Sequence, residues 1–377
     1  MFKLLEEGGT TVLSIAIDAT AACTPKPTGI GRYTEGLTKA LSQRQVRLEI
    51  GTRYSHFQHR KHRLQASSAR EFWIQEPIWP LSRRVDVIHV TDARVPRWPL
   101  LNSRIPRVAT LHDVFHILPE LGHGDQFSTQ DFARKKVERY RQIANECDRI
   151  ISVSETTKED FLRHIECEPG KVKVVQHGID DIFFSENSNQ EDVDILEALG
   201  VPTGGILYVG DVSARKNLKG IISGFLAADL EPNCPLILVG ESTYRSEEVE
   251  SLIRNAGKRR IIRLSWQKQE ILAALYRQSK TLLFCTYYEG FGLPILEALA
   301  CGTPVVISQS GAAPEVAGGH GYPCDAGDPE SIAEALVNAI KTSAKNILSG
   351  QEYARTFTWD RCAKKTEVVY QNALGRI

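Results

Sequence analysis

The sequence predicts an α/β protein of two domains, each a parallel sheet covered by helices. Three observations carry this. Apolar runs such as VLSIAID (12–18), VDVIHV (85–90), GGILYVGD (204–211) and TLLFCT (281–286) are too short for helices and suit buried strands. Amphipathic stretches alternate with them along the chain, the βαβα pattern of a helix-covered parallel sheet. At 377 residues the chain also exceeds what one ordinary core fills.

Composition narrows the class. Hydrophobic residues make up 42%, enough for two cores. Lys plus Arg equals Asp plus Glu at 46 each, so bulk charge predicts no nucleic-acid partner. Lys3, Glu6 and Glu7 ahead of TVLSIAI match neither a signal peptide nor a membrane span, and a cytoplasmic location is expected. The eight cysteines are scattered with no CxxC pair, which fits buried reduced thiols better than metal ligands.

In chain order, VLSIAID leads through a loop with Pro25 and Pro27 to Thr28-Gly29-Ile30-Gly31-Arg32-Tyr33, then to the helical spacing of TEGLTKALSQ. Gly29 and Gly31 allow close backbone approach at a helix start, where an anion can sit. With Glu49 beyond them they imitate half a dinucleotide fingerprint. Ten residues separate Asp18 from Gly29, however, whereas the fingerprint opens almost directly off its strand, so an NAD-linked dehydrogenase is disfavoured.

Residues 44–70 hold seven Arg or Lys, three His and one acid, Glu49, with Phe57, Trp73 and Trp79 interleaved or close behind. Such a mix is either a solvated loop or a surface for anionic lipid head groups or a phosphorylated acceptor. VDVIHV and RVATLHDV (107–114) each end in a histidine. His89 reads as structural. His112, at a strand's carboxyl end with Asp113 beside it, is a candidate site residue. DFARKKVERYRQIANECD is an amphipathic helix, and Ser154 is placed to cap the helix that follows RIISVSE. The polar stretch 184–200 reads as the inter-domain linker. Asp192-Val193-Asp194 within it resembles a metal-binding pair on paper but follows no buried strand, so no metal site is expected.

The second half restarts with GGILYVGD. Arg215 and Lys216 then lie in a strand-to-helix loop, where two cations can neutralise a diphosphate. Trp266, just past a strand end, suits stacking on a base or ordinary packing. The richest stretch is 281–308, TLLFCTYYEGFGLPILEALACGTPVVIS. It reads as strand, Gly loop, helix and strand, with Pro294 at the helix start and Gly302 at its end. Glu289 stands at the loop mouth and Glu297 in the helix. Two carboxylates beside an anion-binding helix start suit a ligand with many hydroxyls next to phosphates, namely a nucleotide sugar.

This last stretch closely resembles the Glu-x7-Glu signature of retaining GT-B glycosyltransferases of family 4. IDA…TGIGRY, LHD, SVSETTKEDF, QHGID, VGDVSARKNL and SGAAPEVAG resemble further family blocks in the family's order, so the resemblance covers nearly the whole chain. It implies two Rossmann-like doubly wound domains facing across a cleft. The N-terminal, acceptor-binding domain is expected over 1–183 plus 360–377, because the family's last helix crosses back. The donor-binding domain is expected over 201–359. Site roles follow from the resemblance alone. Arg215 and Lys216 would bind the donor diphosphate, and Glu297 the ribose. Glu289 and backbone amides of Phe291, Gly292 and Leu293 would hold sugar and phosphate. Gly29 and Gly31 would approach the phosphate from the other domain, and His112 would contact the sugar, making His112, Glu289 and Lys216 the expected catalytic set. Many members carry an arginine where this chain has Asp211 after Gly210, so Lys216, with Arg215 or Arg32, must compensate. No metal or other cofactor is expected. The IDA…TGIGRY and LHD blocks are mannosyltransferase-like, which makes GDP-mannose the first expected donor and polysaccharide or lipopolysaccharide assembly the expected setting. UDP-sugar donors and a non-catalytic sugar-nucleotide-binding subunit are the alternatives.

Overall fold

The computed structural model describes residues 12–66, 69–75, 80–81, 85–95, 105–118, 129–185, 189–241, 247–255 and 261–375. Trp79, Asn187, Ser188 and the residues before Val12 lie outside them.

Two parallel sheets form the scaffold. The first holds β1 (Leu13–Asp18), β2 (Val46–Arg53), β3 (Arg70–Ile74), β4 (Val87–Val90), β5 (Arg107–Leu111), β6 (Arg149–Ser152) and β7 (Val172–Val174), in the order β3-β2-β1-β4-β5-β6-β7. The second holds β8 (Gly205–Val209), β9 (Leu236–Val239), β10 (Ile261–Leu264), β11 (Ser279–Phe284), β12 (Val305–Ser308) and β13 (Gly321–Cys324), in the order β10-β9-β8-β11-β12-β13. All their pairings are parallel. Strands such as LILV and VVIS are buried at every residue, as a sheet covered on both faces requires.

In each sheet the strand order reverses once, between β1 and β4 and between β8 and β11. A crevice opens at the carboxyl ends of strands at such a reversal. Asp18 and Thr91 end or follow strands there in the first sheet, and His112 follows the next strand, β5. Gly210 and the Cys285–Glu289 loop follow strands at the reversal in the second. The site is therefore set by topology before any side chain is considered.

The helix Trp359–Ala373 packs on the first domain: Cys362, Ala363, Val369 and Tyr370 join the core of Leu13, Ile15, Tyr33 and Leu37. Tyr370 reaches His89, which is fully buried between the Tyr370 hydroxyl (2.7 Å) and Thr110 Oγ1 (2.8 Å), so His89 is structural. Within the stretch expected to be linker, Asn189–Ala198 is a helix. It docks through buried Leu196, and Asp192 is held by two bonds from Arg277 at 2.6 and 2.7 Å. Asp192 therefore serves an ion pair, and polarity of sequence here marks a helix with one buried face. Among the described residues no group of three or more His, Cys, Asp or Glu could hold a metal.

Candidate active site

Two glycine-started helices meet across the cleft. Gly29 opens the helix Gly29–Ser42, and a Cβ there would lie 4.0 Å from Leu293 Cδ1, at the start of the helix Leu293–Ala300. Gly292 caps that second helix at φ 108°, a conformation costly for any residue with a Cβ. Both helix starts present the positive end of a dipole; in the second, Pro294 has no N–H and Ile295 N–H is bonded to Gly292 O at 3.0 Å.

Asn217 fixes the cationic loop. It is the one non-glycine residue with positive φ among the described residues (55°). Its side-chain oxygen caps Gly220 N at 3.2 Å, and its amide donates to Cys285 O (2.9 Å) and Ala326 O (2.6 Å). The loop before it is thereby tied to the end of β11. Lys216 Nζ donates to Glu289 Oε1 at 2.6 Å, and Arg215 Nη1 to the same oxygen at 3.3 Å and to Tyr288 O at 2.9 Å. Both side-chain bonds fall on Oε1, which leaves Oε2 for a ligand hydroxyl. Burial opposes the Arg215 charge, but Glu289, Asp113 and Asp211 outweigh it and hold the pKa above its usual value. Asp211 stands where the resemblance leads to an expected arginine. Burial alone would raise its carboxyl, yet Lys216 and Arg215 bring it below the usual range.

His112 joins from the first domain. Its Nε2–H donates to Thr91 O at 2.7 Å, so Nδ1 carries the lone pair. Burial lowers its pKa to about 4, leaving a neutral ring at pH 7. The neighbouring carbonyl touches the Glu289 loop: a Cβ on Gly290 would come within 1.8 Å of His112 O. Ser154 Oγ and Thr157 Oγ1 both donate to Gly290 O, at 2.7 and 3.1 Å. Ser154 also caps its own helix by accepting from Thr157 N at 3.0 Å.

Other expected residues have different surroundings. Glu297 is fully buried: Tyr276 donates to Oε2 at 2.9 Å, and Arg32 from the opposite domain binds Oε1. Trp266 donates Nε1–H to Pro27 O across the cleft at 3.2 Å, beside the Lys26–Glu241 ion pair at 2.6 Å. Phe291 turns its ring toward His177, 4.5 Å between centroids. Glu49 is buried and paired with Arg70 at 2.9 Å, which removes it as a ribose acid and with it the dehydrogenase alternative.

Sequence reasoning missed three residues of this cleft. Asp180 accepts from Trp359 Nε1 (2.9 Å), Gln269 Nε2 (2.6 Å) and Arg32 Nη2 (3.3 Å), so it ties together both domains and the C-terminal helix. Glu315 accepts from Glu155 N, Thr156 N and Thr156 Oγ1 at 2.9–3.0 Å, one domain capping a helix of the other. His177 is 5% exposed among Tyr33, His112, Phe291 and Trp359, with neither ring nitrogen bonded. Only its place before a glycine in QHGID signalled anything.

Two family matches divide the chain along these domains: glycosyltransferase family 4 over residues 27–182 and glycosyl transferases group 1 over 202–355. The chain is a GT-B glycosyltransferase. Among curated relatives, O-antigen chain mannosyltransferase B of Escherichia coli is 26% identical over 280 residues, 72% of each chain. The MMP alpha-(1->4)-mannosyltransferase of Mycolicibacterium hassiacum is 28% identical over 251 residues, 64% of this chain and 58% of that one. Among solved structures, Anabaena HepE in complex with UDP and glucose superposes with a TM-score of 0.73 at 18% identity, covering 96% of this chain and 100% of its own. This glycosyltransferase thus has two parallel-sheet domains facing a cleft, with conserved architecture at low identity.

Proposed function

We propose that this glycosyltransferase moves a hexose, with retention at the anomeric carbon, from a nucleoside-diphosphate sugar to a hydroxyl of a glycan or lipid-linked acceptor. One observation carries the reading: Glu289, Arg215 and Lys216 from one domain converge on the cleft that His112 and the Gly29 helix start enter from the other. Arg215 and Lys216 take up the charge that develops on the leaving diphosphate, with the amides of Phe291, Gly292 and Leu293 and the start at Gly29 and Gly31 completing the anion site. Glu289 Oε2 grips a sugar hydroxyl, and Glu297 the ribose. Trp266 edges the base. His112, neutral and hydrogen-bonded through Nε2, accepts a hydrogen bond from a sugar hydroxyl on Nδ1 and positions the sugar without taking or giving a proton. The acceptor hydroxyl attacks as the donor's bond to phosphate breaks on the same face, and the leaving phosphate takes the proton. Contact between the domains excludes water from this step.

Two donors have specific support. HepE binds UDP and glucose on the same architecture, so a UDP-sugar is the better supported donor. The mannosyltransferase names of the relatives favour GDP-mannose instead. A thermal-shift screen against UDP, GDP, ADP and their sugars separates them, because a ligand of the native state raises the melting temperature with its affinity. No shift with any of them would overturn the assignment and favour a role without sugar-nucleotide binding.

We further propose that residues 44–70 bring the enzyme to a membrane's cytoplasmic face, where it meets a lipid-linked acceptor. No helix among the described residues is long and apolar enough to cross a membrane. Within 44–70, Tyr54 and Phe57 are 54% and 40% exposed and stack at 5.1 Å, with Arg60 over Phe57 and Arg63 over Trp73. Cations beside exposed rings suit an anionic interface. Equal binding to neutral and anionic vesicles at low salt would remove this part of the proposal.

A further inference from the structure

Arg32 stands in the fourth position of the helix that Gly29 opens, facing the other domain. It spends its charge on two carboxylates, Glu297 and Asp180, while its side chain is only 13% exposed. Its Nε–H is buried with no acceptor, although the other guanidinium nitrogens are bonded. Phe183 lies beneath the guanidinium at 5.4 Å, so the group rests on an apolar face rather than in water. Glu297 is engaged in turn and fully buried: one oxygen takes Arg32, the other Tyr276.

A ribose diol therefore meets a carboxylate that is already occupied. We propose that Arg32 is a further donor-binding residue that changes partners: it closes on Glu297 in the free enzyme and passes to the donor's diphosphate when the ribose takes Glu297. The inference rests on the ribose role of Glu297 given above. Hydrogen bonding balances in the exchange. Glu297 keeps Tyr276 and gains two hydroxyl donors. Asp180 keeps Trp359 and Gln269. Arg32 gains phosphate oxygens, including one for the idle Nε–H, beside the helix starts at Gly29 and Leu293 that already favour an anion. The exchange also supplies from the first domain the cation that Asp211 denies the second. Since Arg32 and Glu297 belong to opposite domains, it converts a bond that shuts an empty cleft into one that shuts a filled cleft. Only a ligand bearing both ribose and phosphate can do this.

The test compares a nucleoside with its own diphosphate, using whichever of UDP, GDP and ADP shifts the melting temperature most. Isothermal titration is run on the wild type, Arg32→Gln, Arg32→Lys and Glu297→Gln. In Arg32→Gln the nucleoside is expected to bind several-fold tighter, because Glu297 is freed. The diphosphate is expected to bind about tenfold or more weakly, because a charge-assisted contact is lost. Arg32→Lys, which keeps a cation, should retain most of the diphosphate affinity, and it serves as the test should Arg32→Gln not fold. Parallel changes for both ligands in Arg32→Gln, in either direction, or no change at all, would overturn the exchange. Glu297→Gln reads the underlying assignment separately. If it leaves nucleoside binding unchanged, the ribose role fails. If it weakens nucleoside binding while Arg32→Gln moves both ligands together, only the exchange fails.

Discussion

Gly290→Ala tests the domain contact with a single methyl group. The added Cβ would lie 1.8 Å from His112 O and 2.9 Å from Asp113 Cα, both backbone of the opposite domain. Real Cβ atoms essentially never approach closer than 3.0 Å, so the carbonyl and the loop must part by about 1.2 Å or more (3.0 minus 1.8 Å). Neither side is a flexible side chain, and the motion has to separate the domains. That separation breaks the bonds from Ser154 and Thr157 to Gly290 O, each worth about 1 kcal/mol with a further penalty for a buried carbonyl left unpaired, so the closed arrangement loses about 2–4 kcal/mol. The same displacement moves His112 off the Glu289 loop, and misplacing reacting groups by ~1 Å costs roughly a hundredfold in rate. We expect a melting temperature several degrees lower, a radius of gyration by solution scattering larger than that of the wild type, and transfer reduced about a hundredfold with nucleotide binding largely kept. Transfer within threefold of wild type would refute the argument, since it would mean that the contact between His112 and Gly290 is not needed for the active arrangement.

Lys216→Ala should lower the transfer rate by about a hundredfold or more while nucleotide affinity changes far less, because the lost cation matters most as charge develops; equal losses in affinity and rate would instead make Lys216 a plain binding residue. Burial lowers the pKa of His89 to about 3 and that of His112 to about 4, so the unfolded chain binds protons that the folded chain refuses. Stability from each is fully present above pH 6.5 and is lost as pH falls from there toward about 3 for His89 and about 4 for His112, by about 1.4 kcal/mol per pH unit per histidine at most; a melting temperature that stays flat between pH 7 and 5 would contradict this. His177→Phe removes two unbonded ring nitrogens from an aromatic setting and should leave stability unchanged or raise it by about 1 kcal/mol, measured by denaturant titration. Activity is expected to persist in EDTA; loss on chelation with recovery on Mn²⁺ would show that the cations of the protein are not sufficient.

Much of the fold was legible because its signals are local. Short apolar runs, glycines at helix starts and Ser154 before its helix act within a few residues of themselves, and the structure forms strands and helices there. The Glu289 loop was legible for the same reason: two glycines, a proline and two acids at fixed spacing define strand, turn and helix start without reference to the rest of the chain. Polarity alone did not show the helix Asn189–Ala198, whose acidic surface hides Leu196 and an Asp192–Arg277 pair.

By itself, then, the sequence determined the alternation of strands and helices, the cationic loop at Arg215 and Lys216, and the carboxylates that face it. Only the tertiary structure decided how those carboxylates are engaged. Glu297 lies against Arg32, 265 residues away in sequence, and Glu315 caps a helix 159 residues from it. Partners so distant leave no periodicity or spacing to read, because their meeting depends on how two whole sheets are turned toward each other. The setting of each group follows from that meeting: burial neutralises His112, and a shared oxygen on Glu289 brings Arg215 and Lys216 side by side.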